Sequence, residues 1–267
     1  FYGIPKVPYM LDTSALPFMQ FLMPKYNKGL ALENKHLFSQ IPEFMLQNQI
    51  PLLSMFHIPW EFFPMANFVH QVGGKTLIHQ TIHWENDLLF KSKILNNIDM
   101  WVAPTKWGAE QLRVVGKISN DKVKYIPHSV DLRRFYPHDT SFREKLNLDP
   151  KQKIILIVGR CSLAKGLHQV IPVMRPIIKD YNAVFIIKAG IFENIAKSTE
   201  IGYIINTLSR NNPNIIWLNK WTKPEFLEEL MASCDILLQP SGHEGFDVPL
   251  VEAFACKKAI AVTNIPN

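Results

Sequence analysis

The sequence predicts an α/β fold built on doubly wound parallel sheets, and three observations carry that prediction. Short apolar, β-branched runs alternate with helical patterns along most of the chain. The runs are nearly continuous in apolar residues, without the in-and-out alternation of a sheet that faces water on one side, so they read as strands covered on both faces. One polar segment, 135–150, carries Pro137, His138, Asp139 and Pro150 and interrupts the alternation. It divides the chain into an expected first domain, 1–138, and a second, 150–267, both incomplete.

Taken in order, the strands are expected at 51–56, 76–83, 100–104 and 123–127 before the break, and at 153–158, 183–189, 215–219, 235–239 and 259–263 after it. A short helix is expected around 142–146 within the break. Leu167, Val170, Ile171, Met174 and Ile178 recur at helical spacing, although Pro172 and Pro176 are expected to kink or shorten that helix. At 225–233 a helix opens with Thr222 and Glu225 as a capping box and Pro224 in its first turn. Residues 1–50 show no comparable pattern.

Bulk properties narrow the function. The chain has 267 residues, 47% hydrophobic, with mean hydropathy near zero, which suits globular domains with real cores. No apolar run is long enough to span a bilayer, and no signal-peptide pattern is present. The chain begins at Phe1 and stops at Asn267 directly after a strand-like run, and it reads as a fragment cut at both ends. A net charge of +6 suits an anionic partner, but no block of five Lys or Arg supports nucleic acid. Cys161, Cys234 and Cys256 follow no metal-ligand spacing and read as buried thiols of a reducing compartment, so the expected location is cytoplasmic, peripheral at a membrane if it contacts one.

Two stretches carry chemistry. In "ILIVGRCSLAKG", 155–166, a buried strand ends, a loop follows, and a helix opens near Gly166. Ligands of open parallel sheets bind at the carboxyl ends of the strands, and the loop places Arg160 and Lys165 there. Two loop cations not needed for packing suit a diphosphate, Arg as a planar fork and Lys as a point charge. In "SGHEGFDVPLVEAFACKKAIAV", 241–262, Glu244 falls in a strand-to-helix loop and Glu252 in the first turn of the helix. Ionised carboxylates accept hydrogen bonds and donate none, which suits sugar or ribose hydroxyls. The free N–H groups of the helix start favour a phosphate. Two hydroxyl-binding carboxylates around a phosphate site describe a nucleotide-sugar. Singly, each residue also has a structural reading, as a solvated loop charge or as a carboxylate favouring a helix dipole.

The second stretch resembles the signature of retaining glycosyltransferases of the GT-B fold, group 1 or family 4-like. "VGRCSLAKGLHQVI", "YIPHSVDLRRFYP", "WVAPTKWGAEQL" and "TLIHQTIHWEND" resemble further elements of that group, in family order, over roughly residues 75–265. The resemblance implies two Rossmann-like domains facing a cleft. It implies that Glu244 faces the transferred sugar, with Gly245, Phe246 and Asp247 beside it, and that Glu252 holds the ribose. Arg160 and Lys165 would neutralise the diphosphate, and His83 would reach the donor sugar, with His57 as competing candidate. The implied activity is metal-independent hexosyl transfer with retention, in glycan or polysaccharide synthesis, from a UDP-, GDP- or ADP-sugar to a glycan, lipid-linked or protein acceptor, without a cofactor.

The sequence departs from the group at four places: Asp247 stands where Gly is usual, Lys257 and Ala259 where Gly and Pro are usual, His128 and Ser129 where Asn-Gly is usual, and no Gly-rich loop occurs near the start. Asp247 is expected to serve instead as an N-cap. The alternatives are a nucleotide-sugar epimerase on the same fold, which would turn over donor alone, and a non-catalytic nucleotide-sugar binder. A nicotinamide dehydrogenase is disfavoured, because no Gly-x-Gly-x-x-Gly follows any strand.

Overall fold

The structure is a computed structural model and describes residues 35–56, 65–82, 98–191, 196–219 and 223–265. All nine expected strands are present, in two parallel sheets. The first sheet holds β1 (Leu52–Phe56), β2 (Lys75–His79), β3 (Met100–Ala103) and β4 (Val123–Tyr125), in chain order across the sheet. Helices α1 (Lys35–Gln47), α2 (Met65–Gln71) and α3 (Lys106–Val114) accompany it. Trp101, Ile78, Val69 and Leu112 sit at its core without exposed surface. Thr105 caps α3, its hydroxyl accepting from the Gly108 N–H at 3.0 Å.

The short helix of the break, α4, spans Phe142–Lys145. The second sheet follows: β5 (Lys153–Arg160), α5 (Leu167–Tyr181), β6 (Ala183–Gly190), α6 (Ala196–Asn211), β7 (Ile215–Leu218), α7 (Pro224–Ser233), β8 (Ile236–Gln239), α8 (Val248–Ala255) and β9 (Ala259–Val262). Its order is β7-β6-β5-β8-β9, all parallel. Two buried clusters cover its two faces. Leu167, Val170 and Met174 of α5 pack with Ile155, Ile157 and Phe185 on one. Ala253 of α8, Leu230 and Met231 of α7, Leu156 and Phe142 pack on the other. β5 and β6 are buried on both faces as expected, whereas the edge strand β9 is largely exposed.

Both sheets anchor a strand entry with an aspartate. Asp99 accepts from the Thr76 N–H at 2.8 Å, and Asp235 from the Ile154 N–H at 2.8 Å. Cations then close on each carboxylate, Lys75 at 3.2 Å on Asp99 and Arg143 at 2.6 Å on Asp235. Burial opposes ionisation in both, but the hydrogen bonds and neighbouring charges win and hold both carboxyls below the usual carboxylate range.

Three local expectations change. α5 runs uninterrupted through Pro172 and Pro176. The two prolines are one turn apart on its exposed side, so the carbonyls that lose their N–H partners face water and the helix need not end. The cap of α7 is Lys223, without a side-chain hydrogen bond, and Thr222 lies outside the described residues. β2 ends at His79, four residues short of His83, although the Gln80 N–H still donates to Val102 at 2.9 Å. Cys161, Cys234 and Cys256 are free, buried thiols, each pushed up by burial, Cys234 to about 12.

Candidate active site

In the second sheet β5 lies between β6 and β8, so the chain winds one way from β5 through β6 to β7 and the other way through β8 to β9. α5 and α8 leave the carboxyl ends of β5 and β8 toward opposite faces, which opens a crevice between the two strand ends. The loops 161–166 and 240–247 border this crevice, and both sequence stretches with candidate chemistry meet there.

The two loops are joined directly. The Gly242 N–H donates to the Ala164 carbonyl at 2.8 Å. Gly166 adopts a left-handed backbone, φ 67°, and a Cβ there would fall 1.8 Å from the Pro240 carbonyl oxygen. Only glycine permits both the conformation and the approach. Gln239, at the end of β8, donates to the Val158 carbonyl of β5 at 3.1 Å and to Asp247 Oδ1 at 3.1 Å, which ties the strand ends to the start of α8.

This framework brings Lys165 and Glu244 together. The Lys165 ammonium donates to Glu244 Oε1, which also accepts from the Ser241 hydroxyl at 2.7 Å. The side chains are only 18% and 9% exposed, so the pair is a buried ion pair rather than two solvated loop charges. The Lys165 stem lies over Gly159, where a Cβ would be 3.4 Å from its Cδ. Arg160 ends β5 and is exposed. In the loop between the two cations, the buried Ser162 Oγ has no hydrogen-bond partner.

Glu252 is the fifth residue of α8, because the helix starts at Val248; it therefore sits in the second turn, not the first. It is 5% exposed, and its Oε2 is buried without a hydrogen-bond partner. Burial raises its carboxyl to about 7; the Arg134 charge opposes the rise, and the charges of Asp247 and Glu228 add to it. An unpaired buried carboxyl oxygen costs stability unless a ligand supplies the missing donors.

Asp247 occupies the N-cap position of α8 but makes no side-chain cap. Its backbone carbonyl serves the helix, accepting from the Leu250 N–H at 3.2 Å. Its carboxyl turns instead to Gln239, a buried donor at the strand end. Burial, with the Glu244 charge behind it, raises Asp247 to about 6. Beside it lies a cavity of about 250 Å³, lined among others by Gln239, Ser241, Glu244 and Asp247.

With the folded pKa of Glu252 above the ordinary 4.5, the folded protein holds more protons than the unfolded chain between about pH 4.5 and 7. Stability is therefore lost as pH rises through that window. Glu252→Gln, which cannot ionise, is expected to be more stable than the parent by on the order of 2–3 kcal/mol at pH 8, with the difference vanishing below about pH 4.5. Urea melts of both proteins at the two pH values measure it.

His83 and His57 lie outside the described residues. The sequence reading missed another pair of imidazoles. His79, at the end of β2, and His128, after β4, have ring centroids 5.0 Å apart. Phe56 of β1 meets His79 edge-on at 4.8 Å, and Phe246 of the 240–247 loop meets His128 edge-on at 4.8 Å. A chain of four rings thus runs from the strand ends of the first sheet to the loop that carries Glu244. The sequence puts Phe56 at the end of one expected strand, His79 inside another, His128 just past a third and Phe246 in a loop, which does not reveal who meets whom. Among the described residues no cluster of three or more His, Cys, Asp or Glu could hold a metal, and no helix is long and apolar enough to cross a membrane.

Comparisons with known proteins agree with this geometry. Residues 138–267 match the family model described as glycosyl transferases group 1. The alpha-maltose-1-phosphate synthase of Mycobacterium tuberculosis is 22% identical over 58% of this chain and 41% of its own length. The D-inositol 3-phosphate glycosyltransferase of Segniliparus rotundus is 24% identical over 67% of this chain and 40% of its own. The matches thus span about two fifths of these curated relatives. Among solved structures, sucrose-phosphate synthase from Thermosynechococcus elongatus superposes with a TM-score of 0.70 at 19% identity, over 86% of this chain and 60% of that one. HepE from Anabaena, in complex with UDP-glucose, superposes with a TM-score of 0.71 at 15% identity, over 85% and 63%. The fold is GT-B.

Proposed function

We propose that this chain, which carries a glycosyl transferases group 1 domain in residues 138–267 on a GT-B fold, belongs to an enzyme that moves a sugar from a nucleotide-sugar donor to an acceptor hydroxyl with retention of configuration. The observation that carries the reading is Glu252: a buried carboxyl with an unpartnered oxygen, on the helix that opens from the crevice holding Lys165 and Glu244. Ribose hydroxyls are donors of the kind that oxygen lacks.

The roles then follow from the charges. Lys165 exchanges Glu244 for the diphosphate of the arriving donor, and Arg160 joins it from the end of β5. Glu244, released from the ammonium, accepts from hydroxyls of the transferred sugar. As the glycosidic bond breaks, negative charge collects on the leaving phosphate; the two cations bind that state more strongly than the ground state, and the difference raises the rate. The leaving phosphate takes the proton of the acceptor hydroxyl on the face it has just left, which keeps the configuration. Two cations doing this need no metal, and the sequence holds no Asp-x-Asp motif. Two carboxylates acting as a glycosidase pair would have to flank the scissile bond; Glu244 instead sits on the same crevice wall as Lys165.

The two sheets correspond to two domains on this reading, with the division ahead of Phe135, since Phe135 packs into the core of the second sheet. The GT-B neighbour with UDP-glucose makes that donor the first to test. We place the protein in the cytoplasm or peripheral at a membrane. In calorimetry, Glu252→Ala is expected to weaken binding of UDP, GDP or ADP, whichever the protein binds, by about 1–3 kcal/mol with the fold intact. Unchanged affinity for all three would remove Glu252 from the site.

A further inference from the structure

Glu252 shares its surroundings with two other carboxylates and one guanidinium. Asp247 faces it from the 240–247 loop, Glu228 from α7, and Arg134 from the segment between the sheets; Cys256 lies one turn on along α8. The guanidinium goes to Glu228: Arg134 Nε donates to Glu228 Oε1 at 2.5 Å. Glu228 is 19% exposed and Arg134 36%, so this ion pair is partly withdrawn from water. Glu252, more deeply buried than either, keeps an oxygen with no donor. An ionised carboxylate so placed has little solvent, and the one guanidinium that acts on it, Arg134, is hydrogen-bonded to Glu228; burial outweighs that charge and favours the protonated acid.

We propose that Glu228, by holding the Arg134 guanidinium, keeps Glu252 uncharged in the unliganded protein, and that Glu252 gives up its proton to solvent when a nucleoside diphosphate binds. Glu228 and Arg134 are then positioning residues: they touch no substrate and act through Glu252. The inference rests on the reading of Glu252 as the ribose acceptor. Two ribose hydroxyls donating to Glu252 favour its ionised form, and Asp247 nearby opposes it. Nucleotide binding is thereby coupled to proton release, and its affinity rises with pH up to neutrality. Burial, the main cause, and the Glu228 charge, among the contributors, both weaken Glu252 as an acid, in the same direction.

The test begins on the free protein and needs no ligand. Carboxyl 13C resonances of glutamate-labelled protein are followed from pH 4 to 9, with Glu252 assigned by its loss in Glu252→Gln. The midpoint is expected near neutrality in the parent and lower by a unit or more, a tenfold change in acid constant, in Glu228→Gln, which removes a negative charge and releases Arg134 toward Glu252. A parent midpoint below pH 5.5 overturns the proposal without any variant, and an unmoved midpoint in Glu228→Gln overturns the role of Glu228. UDP is then titrated by calorimetry at pH 6 in two buffers of different ionisation enthalpy. Release of close to one proton more per UDP bound than in Glu252→Gln, where the terminal phosphate of UDP alone supplies protons, is the expected result. Equal release in the two proteins overturns the coupling. No binding of UDP, GDP or ADP at any pH would instead overturn the nucleotide-site reading, while the carboxyl titration still decides the charge of Glu252.

Discussion

Lys165→Ala is expected to lower sugar transfer by roughly a hundredfold or more, the scale on which an electrostatic stabiliser of a transition state is lost. The sequence alone presents Lys165 as a loop cation whose removal leaves stability unchanged. The structure presents it otherwise: a buried ammonium paired with Glu244, its stem laid over Gly159. Removing it takes away the Lys165 ammonium that shares Glu244 Oε1 with the Ser241 hydroxyl. Breaking a buried pair from one side costs on the order of 3 kcal/mol, so Lys165→Ala should also unfold at lower urea. Arg160, exposed at the end of β5, separates the two effects. Arg160→Ala is expected to lose transfer to a similar degree, while its folding free energy changes by about 0.5 kcal/mol or less. Transfer assays without added metal, run beside urea melts, measure both. Full activity in both variants would remove the diphosphate role from this loop.

Gly166→Ala is expected to be the most damaging single methyl group in the crevice. The left-handed backbone alone costs an alanine roughly 1–2 kcal/mol. The new Cβ would also lie 1.8 Å from the Pro240 carbonyl oxygen, a backbone atom at the end of β8 that cannot rotate away. The loops must separate, and the Gly242–Ala164 hydrogen bond goes with them. A total of about 4 kcal/mol or more is expected from strain and overlap together, with donor binding lost because Lys165 and Glu244 no longer face each other. Gly73→Ala is the control. Its φ is 76°, but nothing lies within 4 Å of the added carbon. It should therefore show only the backbone cost of roughly 1–2 kcal/mol. Equal losses in the two variants would show that the close approach at Pro240 carries no weight.

The strands were legible as short apolar runs between helical patterns, and all nine of these runs become strands; burial on both faces, the reason assigned to them, holds for β3, β5 and β6, whereas β1, β4 and β9 are largely exposed. The crevice was legible as well, since Gly159, Arg160, Lys165 and Glu244 stand at strand-to-helix junctions that the alternation locates. What did not show was pairing. Lys165 and Glu244 are 79 positions apart, and Arg134 and Glu228 are 94 apart; no local pattern records which carboxylate takes which cation. Pro172 and Pro176 misled because the rule against proline in a helix assumes that the freed carbonyls are buried, and here they face water. Asp247 misled because a short carboxylate ahead of a helix ordinarily caps it, and only the fold discloses the competing amide of Gln239. β2 ends at His79 rather than at 83 because its pairing with β3 stops at His79 opposite Val102.

The four-ring chain has a mechanical consequence. Phe56 and His79 are fixed to strands of the first sheet, while Phe246 is two residues from Glu244 in a loop of the second. The last link, His128 to Phe246, is an edge-to-face contact with no covalent backing, so a motion that separates the two rings must either break it or drag the loop along. The separation of the rings and the placement of Glu244 are therefore not independent coordinates. A pair of fluorescent labels spanning the two sheets would report occupancy of the proposed donor site without touching it, and the proteolytic sensitivity of the 240–247 loop should follow the same signal.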